Sequence, residues 1–179
     1  GVGLCGTALH ILQVPPAHPA KQGIILGHEF TGAIVEVGSQ IPDFAPGDVV
    51  LIDPHPGCGV CRECKQGNPD ICIPLIERSG EPGHPATIGI FSDGAMARYA
   101  IVPREALFKA SPQVPSHIRA LAEPLSCVLN AVNRFKVQPG DTVLVLGAGP
   151  IGLLFTSVLK ANGASKIIVS EISEYRKEA

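Results

Sequence analysis

Four cysteines stand within fifteen residues, as Cys58-Gly-Val-Cys61-Arg-Glu-Cys64, seven further residues, then Cys72. Side chains so spaced converge only if the chain folds back on itself, and Gly57, Gly59 and Gly67 permit the turns. Four thiolates in a Cys-x2-Cys-x2-Cys-x7-Cys run can surround one Zn²⁺ tetrahedrally and leave no position open, which is the chemistry of a structural site. An iron–sulfur cluster also uses four cysteines, although this spacing only loosely resembles ferredoxin runs. A secreted disulfide scaffold spreads its cysteines over a short chain. Here the other two, Cys5 and Cys127, lie far from the crowd. The pattern predicts a metal-holding loop lobe in a reducing compartment, the cytoplasm.

The rest of the chain must supply a core around that lobe. At 179 residues there is room for about one domain or two incomplete ones. Hydrophobic residues make up 45% and charged residues 17%, with mean hydropathy +0.27, so a core can be buried. With 20 Gly and 17 Pro the body is turn-rich, β-type or α/β rather than a helical bundle. Net charge is −2, and no basic run exceeds Arg176-Lys177, which argues against a nucleic-acid or anionic-membrane surface. The 18 uncharged residues from Thr142 to Leu159 are broken by Gly147, Gly149, Pro150 and Gly152, so strand, turn and helix explain them better than a membrane span. The N-terminus shows no signal-peptide pattern, and the absence of an initial Met leads us to expect a partial chain.

Short β-branched runs at Ile24–Leu26, Ala33–Gly38 and Gly47–Ile52 predict a small Greek-key or barrel-like β domain. Ala95–Val102 is a further strand candidate. After Ser116 the period becomes helical. Leu125, Val128, Leu129 and Val132 share one face, with Pro124 in the first turn and Glu123 expected at the junction because a pre-proline residue avoids helical geometry. Cys127 is expected to be a buried packing residue. His18, His55, His84 and His117 flank Pro or Ser and read as loop residues.

The apolar run Asp141–Leu146 predicts a buried parallel strand. A helix carrying Ile151, Leu154, Phe155, Val158 and Leu159 follows it and ends at Asn162-Gly163, and Lys166–Ser170 is a second buried strand. This is a βαβ unit. Its turn, Gly147-Ala148-Gly149-Pro150-Ile151-Gly152, fits G-x-G-x-x-G, and Glu171 follows at the end of the next strand. That is the context a dinucleotide fingerprint requires. Gly147 permits the tight turn, Gly149 lets backbone approach a pyrophosphate, and Gly152 allows close helix–strand packing. The helix N-terminus presents its free N–H groups and positive dipole end to the phosphates. Glu171 would accept hydrogen bonds from ribose hydroxyls and repel a 2′-phosphate, which favours NAD, although the nearby Arg176 could accept that phosphate.

Gly3-Leu-Cys5-Gly-Thr7, Gly27-His28-Glu29-Phe30, the four-Cys lobe, Glu123-Pro124-Leu125 and the Gly147 loop occur in this order. In this the chain resembles the zinc-dependent medium-chain alcohol dehydrogenases, and its Glu-Pro-Leu resembles the sorbitol (polyol) and threonine dehydrogenase branch. The resemblance implies an α/β fold with a β-rich part. Residues 1–123 would form a GroES-like catalytic domain lacking its first strands. Residues 124–179 would be the first βαβ unit of an incomplete Rossmann domain.

The implied activity is hydride transfer between a secondary alcohol or polyol and NAD, with two Zn²⁺ per intact chain. The catalytic zinc would take Cys5 and His28, with Glu29 or Glu123 as the carboxylate. In an extended chain neighbours point to opposite faces, so His28 and Glu29 can share one ion only if the chain bends after Gly27. Thr7 matches a hydroxyl that hydrogen-bonds the alcohol oxygen, and His10 matches a proton-relay histidine. Cys58, Cys61, Cys64 and Cys72 would hold the structural zinc. Relatives are dimers or tetramers, so a homo-oligomer is expected. The family usually places Asp where this chain has Ala8, so either another group orients His28 or the catalytic zinc is weakened. The competing readings are a non-enzymatic zinc-binding interaction module and a zinc-free reductase of the quinone-reductase type.

Overall fold

The computed structural model describes residues 1–178 and divides the chain into two compact units, Gly1–Glu123 and Pro124–Ala179. The first unit opens with a short helix, α1 (Gly6–Ile11), and is built on an antiparallel sheet of β1 (Thr31–Ala33), β2 (Val49–Ile52) and β3 (Leu107–Lys109) in the order β1-β2-β3. Thr31 pairs with Leu51, and Leu51 with Phe108. Phe30, Val50, Ile52, Ile88 and Ala106 form its core. Between β2 and β3 lie α2 (Arg62–Lys65) and α3 (Ile73–Ser79), so the cysteine segment carries short helices as well as loops. After β3 comes α4 (Ser116–Arg119), which takes His117 out of the expected loop class. Its Arg119 donates to the Thr31 hydroxyl at 3.3 Å and to the Val114 carbonyl at 2.6 Å. The buried Thr31 hydroxyl in turn donates to the Val50 carbonyl at 2.7 Å. Helix and sheet are thereby tied together through one side chain.

Several expected strands are not ladder strands. Ile24–Leu26 and Ala95–Val102 are outside the sheet. The amides of Gly94, Ala95 and Met96 instead donate to the carbonyls of Ile25, Gly27 and Leu26, a crossed pattern that satisfies backbone groups without building a strand pair. The Ala33–Gly38 run stops pairing after Ile34, whose amide and carbonyl bond Asp48 and Gly47, and Val35 beyond it is exposed.

The first unit ends at Glu123, the expected junction, but the helix α5 (Ala122–Phe135) begins before Pro124, so Glu123 lies in its first turn in helical geometry. Proline is tolerated there because the first-turn N–H groups have no intrahelical acceptor. In the second unit β4 (Thr142–Leu146) and β5 (Lys166–Ser170) pair in parallel, joined by α6 (Pro150–Ala161), and α7 (Glu174–Lys177) follows. Val128, Val132, Val145, Val158 and Leu159 form this unit's core, with Val143 and Ile167 packed against it. β4 buries only Val145, and no residue of β5 is buried, so both strands are less covered than expected. Leu144 and Leu146 are 58% and 78% exposed, because residues alternate across a strand and the helices of this unit cover one side. Cys127 is also exposed rather than buried, being one position off the inward Pro124-Val128-Val132 stripe of α5. Among the described residues no helix is long and apolar enough to cross a membrane.

Candidate metal centres and dinucleotide loop

Residues Gly1–Gly3 run antiparallel to Glu29–Thr31. The Gly3 amide donates to the Glu29 carbonyl at 2.7 Å, the Thr31 amide to the Gly1 carbonyl at 2.9 Å, and Val2 bridges Phe30. That pairing delivers Cys5, the N-cap of α1, to the His28–Glu29 segment. Gly27 supplies the bend on the other side, with φ +104, a conformation open to glycine. The Cys5 sulfur and a ligand atom each from His28 and Glu29 lie within 4.8 Å of one another. Tetrahedral zinc with bonds of 2.0–2.3 Å needs ligand separations of about 3.3–3.8 Å, inside that bound. Glu123 is not a member of this group.

The electrostatics suit a neutral imidazole ligand. Burial holds the His28 pKa below its ordinary value, against an opposing pull from Glu29. His28 is only 7% exposed, yet among the described residues no side-chain nitrogen or oxygen is buried without a hydrogen-bond partner. Its ring makes none, so its nitrogens open onto accessible space. Gly3 keeps room for the carboxylate, since a Cβ there would overlap Glu29 Oε2. Ala8 is buried in α1 and offers no carboxylate. Thr7 is half-buried and His10 exposed, three positions apart on one face of α1. His55 is a loop residue, as read from sequence, and is also packed. Its Nε2 lies 2.8 Å from the Thr87 hydroxyl, which itself donates to the Pro85 carbonyl, so Nε2 is the donor to Thr87.

The four sulfurs of Cys58, Cys61, Cys64 and Cys72 form the second group. Cys58 and Cys64 are 4.0 Å apart and Cys61 and Cys72 3.9 Å. These distances are far from a disulfide bond and close to the ~3.8 Å edge of a Zn–S tetrahedron. Cys61 caps α2 and Cys72 caps α3, while Gly57, Gly59 and Gly67 turn the chain at positive φ as expected. The thiols are not equivalent. Backbone N–H groups of Val60 and Cys61 lower Cys58 to about 6, whereas burial, chiefly, pushes Cys72 up to about 11.

In the second unit Gly147 makes the turn at φ +100, Gly149 caps α6 and Pro150 occupies its first turn. Ile151 and Gly152 follow, and the first helical bond runs from the Leu153 amide to the Gly149 carbonyl, leaving the preceding amides free for an anion. A Cβ on Gly152 would overlap the Gly147 carbonyl. Sequence reasoning missed what Glu171 does to this loop. One carboxylate oxygen accepts from the Ala148 amide at 2.7 Å, and the other from Ile172 and Ser173 at 2.8 Å each. These bonds, with Arg176 a smaller contributor, hold Glu171 below its ordinary pKa. An Arg176 guanidinium nitrogen lies 3.8 Å from where a Gly149 Cβ would stand, so Arg176 sits beside the loop.

The first unit thus carries a sulfur–imidazole–carboxylate group and a four-sulfur lobe, and the second a glycine loop closed by a carboxylate. Residues 1–113 match the alcohol dehydrogenase GroES-like domain, and the chain belongs to that family. It is 36% identical over 179 residues to L-threonine 3-dehydrogenase of Pyrococcus horikoshii, covering 98% of this chain and 48% of that protein. It is 35% identical over 180 residues to sorbitol dehydrogenase of Bacillus subtilis, covering 99% and 48%. Among solved structures, a zinc-binding dehydrogenase of Sinorhizobium meliloti bound to NADP superposes with TM-score 0.87 at 35% identity, covering 99% of this chain and 48% of that one. The chain thus spans about half the length of these relatives.

Proposed function

We propose that this chain belongs to a zinc-dependent oxidoreductase that transfers a hydride between a secondary alcohol or polyol and NAD. The observation that carries the reading is the mixed sulfur, nitrogen and oxygen set of Cys5, His28 and Glu29 gathered within 4.8 Å. A donor set of three protein ligands leaves one tetrahedral position for substrate, whereas the four-sulfur lobe leaves none. Units 1–123 and 124–179 are read as the catalytic domain and the start of a Rossmann domain.

Cys5, His28 and Glu29 would hold the catalytic zinc. Glu123 comes from another segment and is the alternative carboxylate. Zinc bound there supplies Lewis acidity that lowers the pKa of an alcohol oxygen, and NAD supplies the hydride acceptor. The chain's own residues do the rest. His28 stays neutral through burial and so keeps a lone pair for the metal. The Thr7 hydroxyl would hydrogen-bond the alcohol oxygen, taking its proton as it gives up its own toward His10, which is exposed at the end of α1 and would release a proton to solvent. Cys58, Cys61, Cys64 and Cys72 brace their lobe around a structural zinc.

The amides at the start of α6 and Gly149 hold the pyrophosphate, while Glu171 orders the loop and retains lone pairs for the adenosine ribose. Its negative charge favours NAD, and the guanidinium of Arg176 offsets part of that discrimination. The spacing of Cys58, Cys61, Cys64 and Cys72, that of a metal site rather than of a disulfide scaffold, suits a reducing compartment, the cytoplasm.

A substrate panel of polyols, threonine and simple secondary alcohols with the full-length protein tests the reading. NADH absorbance is followed with and without chelator. Turnover that chelation abolishes supports it, and undiminished turnover in a fully metal-stripped enzyme rejects it. Equal or better turnover with NADP would reject the role given to Glu171.

A further inference from the structure

Three glycines meet behind the His28–Glu29 segment. The Gly27 carbonyl accepts from the Ala95 amide at 3.0 Å and lies in a notch between Gly89 and Gly94. A Cβ at either position would overlap that carbonyl oxygen. At Gly89 it would also come 2.9 Å from the His28 amide nitrogen, and at Gly94 3.0 Å from the Gly27 carbonyl carbon. These are backbone atoms, so no rotamer change relieves the overlap. Gly27 itself is hemmed in, since its own Cβ would stand 2.9 Å from Met96 Cγ. The amides of Gly94 and Met96 bond the carbonyls of Ile25 and Leu26 at 2.7 and 2.9 Å, closing the notch against the segment that leads into Gly27.

We propose that Gly89 and Gly94 are positioning residues for the catalytic metal. Their notch fixes the Gly27–His28 peptide at the rotation that turns His28 and Glu29 together toward Cys5. An extended chain would send these neighbours to opposite faces. The inference rests on the metal reading above. Gly94 is the sharper probe, because its φ is outside the left-handed region and alanine there adds bulk alone, whereas Gly89 has φ +82.

The test loads the full-length protein with Co²⁺ and counts bound metal by elemental analysis. Site absorption distinguishes a four-thiolate centre from a one-thiolate centre. The wild type should hold two ions per chain. Gly94→Ala should keep the four-thiolate spectrum and bind the second ion about 10–100-fold more weakly, the range for losing a group that orients a ligand. Gly38→Ala, whose Cβ would meet only Ile41 at 3.9 Å, should keep both ions at wild-type affinity. A folded Gly94→Ala protein with wild-type affinity at both sites overturns the proposal.

A wild type that binds one ion overturns the metal reading itself, and this inference with it. Should Gly94→Ala fail to fold, hydrogen exchange in the wild type decides. Filling the second site should slow exchange at Gly94–Met96, and unchanged exchange there overturns the proposal.

Discussion

Gly149 and Gly152 stand three residues apart in the same loop, and the structure gives them opposite costs. A Cβ on Gly152 overlaps the Gly147 carbonyl, lies 3.0 Å from its carbon and touches Val145 Cγ1 at 3.7 Å. Helix α6 must then shift away from β4, an overpacking that costs about 1–3 kcal/mol. At the typical 2–4 °C per kcal/mol for chains of this size, Gly152→Ala should melt roughly 2–12 °C lower. Gly149 has φ −71, and its Cβ would meet only the Arg176 guanidinium at 3.8 Å, the mobile end of a side chain. Gly149→Ala should therefore melt within about 2 °C of wild type, because surface changes without strain stay near ±0.5 kcal/mol.

The added methyl nevertheless points into the space a pyrophosphate would fill. A clash of the same 1–3 kcal/mol weakens NADH binding about 5–150-fold. Thermal unfolding followed by circular dichroism, with NADH fluorescence titration, reads both quantities. If Gly149→Ala binds NADH as wild type does, the loop is not the phosphate cradle. If Gly152→Ala melts as wild type does, the packing argument fails.

Cys72→Ser replaces a fully buried ligand and should reduce metal content by one ion per chain, measured by elemental analysis, with the Cys5–His28 site still filled. Zinc uptake by metal-stripped protein should release protons, because burial holds the Cys72 thiol protonated, and the release should fall as pH rises, as read in weakly buffered titrations. The Glu171 carboxylate has its pKa depressed by folding, so its clasp on Ala148 is fully present above the unfolded value of 4.5 and is lost as pH falls through the lower folded one. Exchange protection of the Ala148 amide should follow that window. Thr31→Val removes the hydroxyl's bonds to the Val50 carbonyl and the Arg119 Nε, while Arg119 keeps its bonds to the Ser111, Pro112 and Val114 carbonyls, and should cost about 1–3 kcal/mol in denaturant unfolding.

The parts legible in the sequence are those whose chemistry is local. Cys58–Cys72 and Gly147–Gly152 carry their meaning in spacing, and both appear in the structure as compact side-chain or backbone groups. The meeting of Cys5 with His28 and Glu29 depends on Gly1–Gly3 pairing with Glu29–Thr31, a long-range bond pattern that no local period reports. The resemblance named the residues, and the left-handed Gly27 supplied the bend that their shared orientation required. Strand composition overstates the sheet. Ala95–Val102 has strand composition, but its first amides are spent on Ile25–Gly27 in a crossed arrangement. Cys127 was misplaced because composition favours burial, while its phase on α5 lies one residue off the apolar stripe. The position of Glu171 after β5 points to a ribose acceptor, but its bonds to three amides leave no trace in the sequence, because they depend on where β5 delivers it beside Ala148.

An anomalous-difference map at the zinc edge, from crystals of the full-length protein grown with zinc, bears most directly on the catalytic reading. Two peaks per chain are expected, one inside the Cys58–Cys72 lobe and one within bonding distance of the Cys5 sulfur and a His28 ring nitrogen. A single peak in the lobe, with Cys5 and His28 turned apart in zinc-saturated crystals, would contradict it.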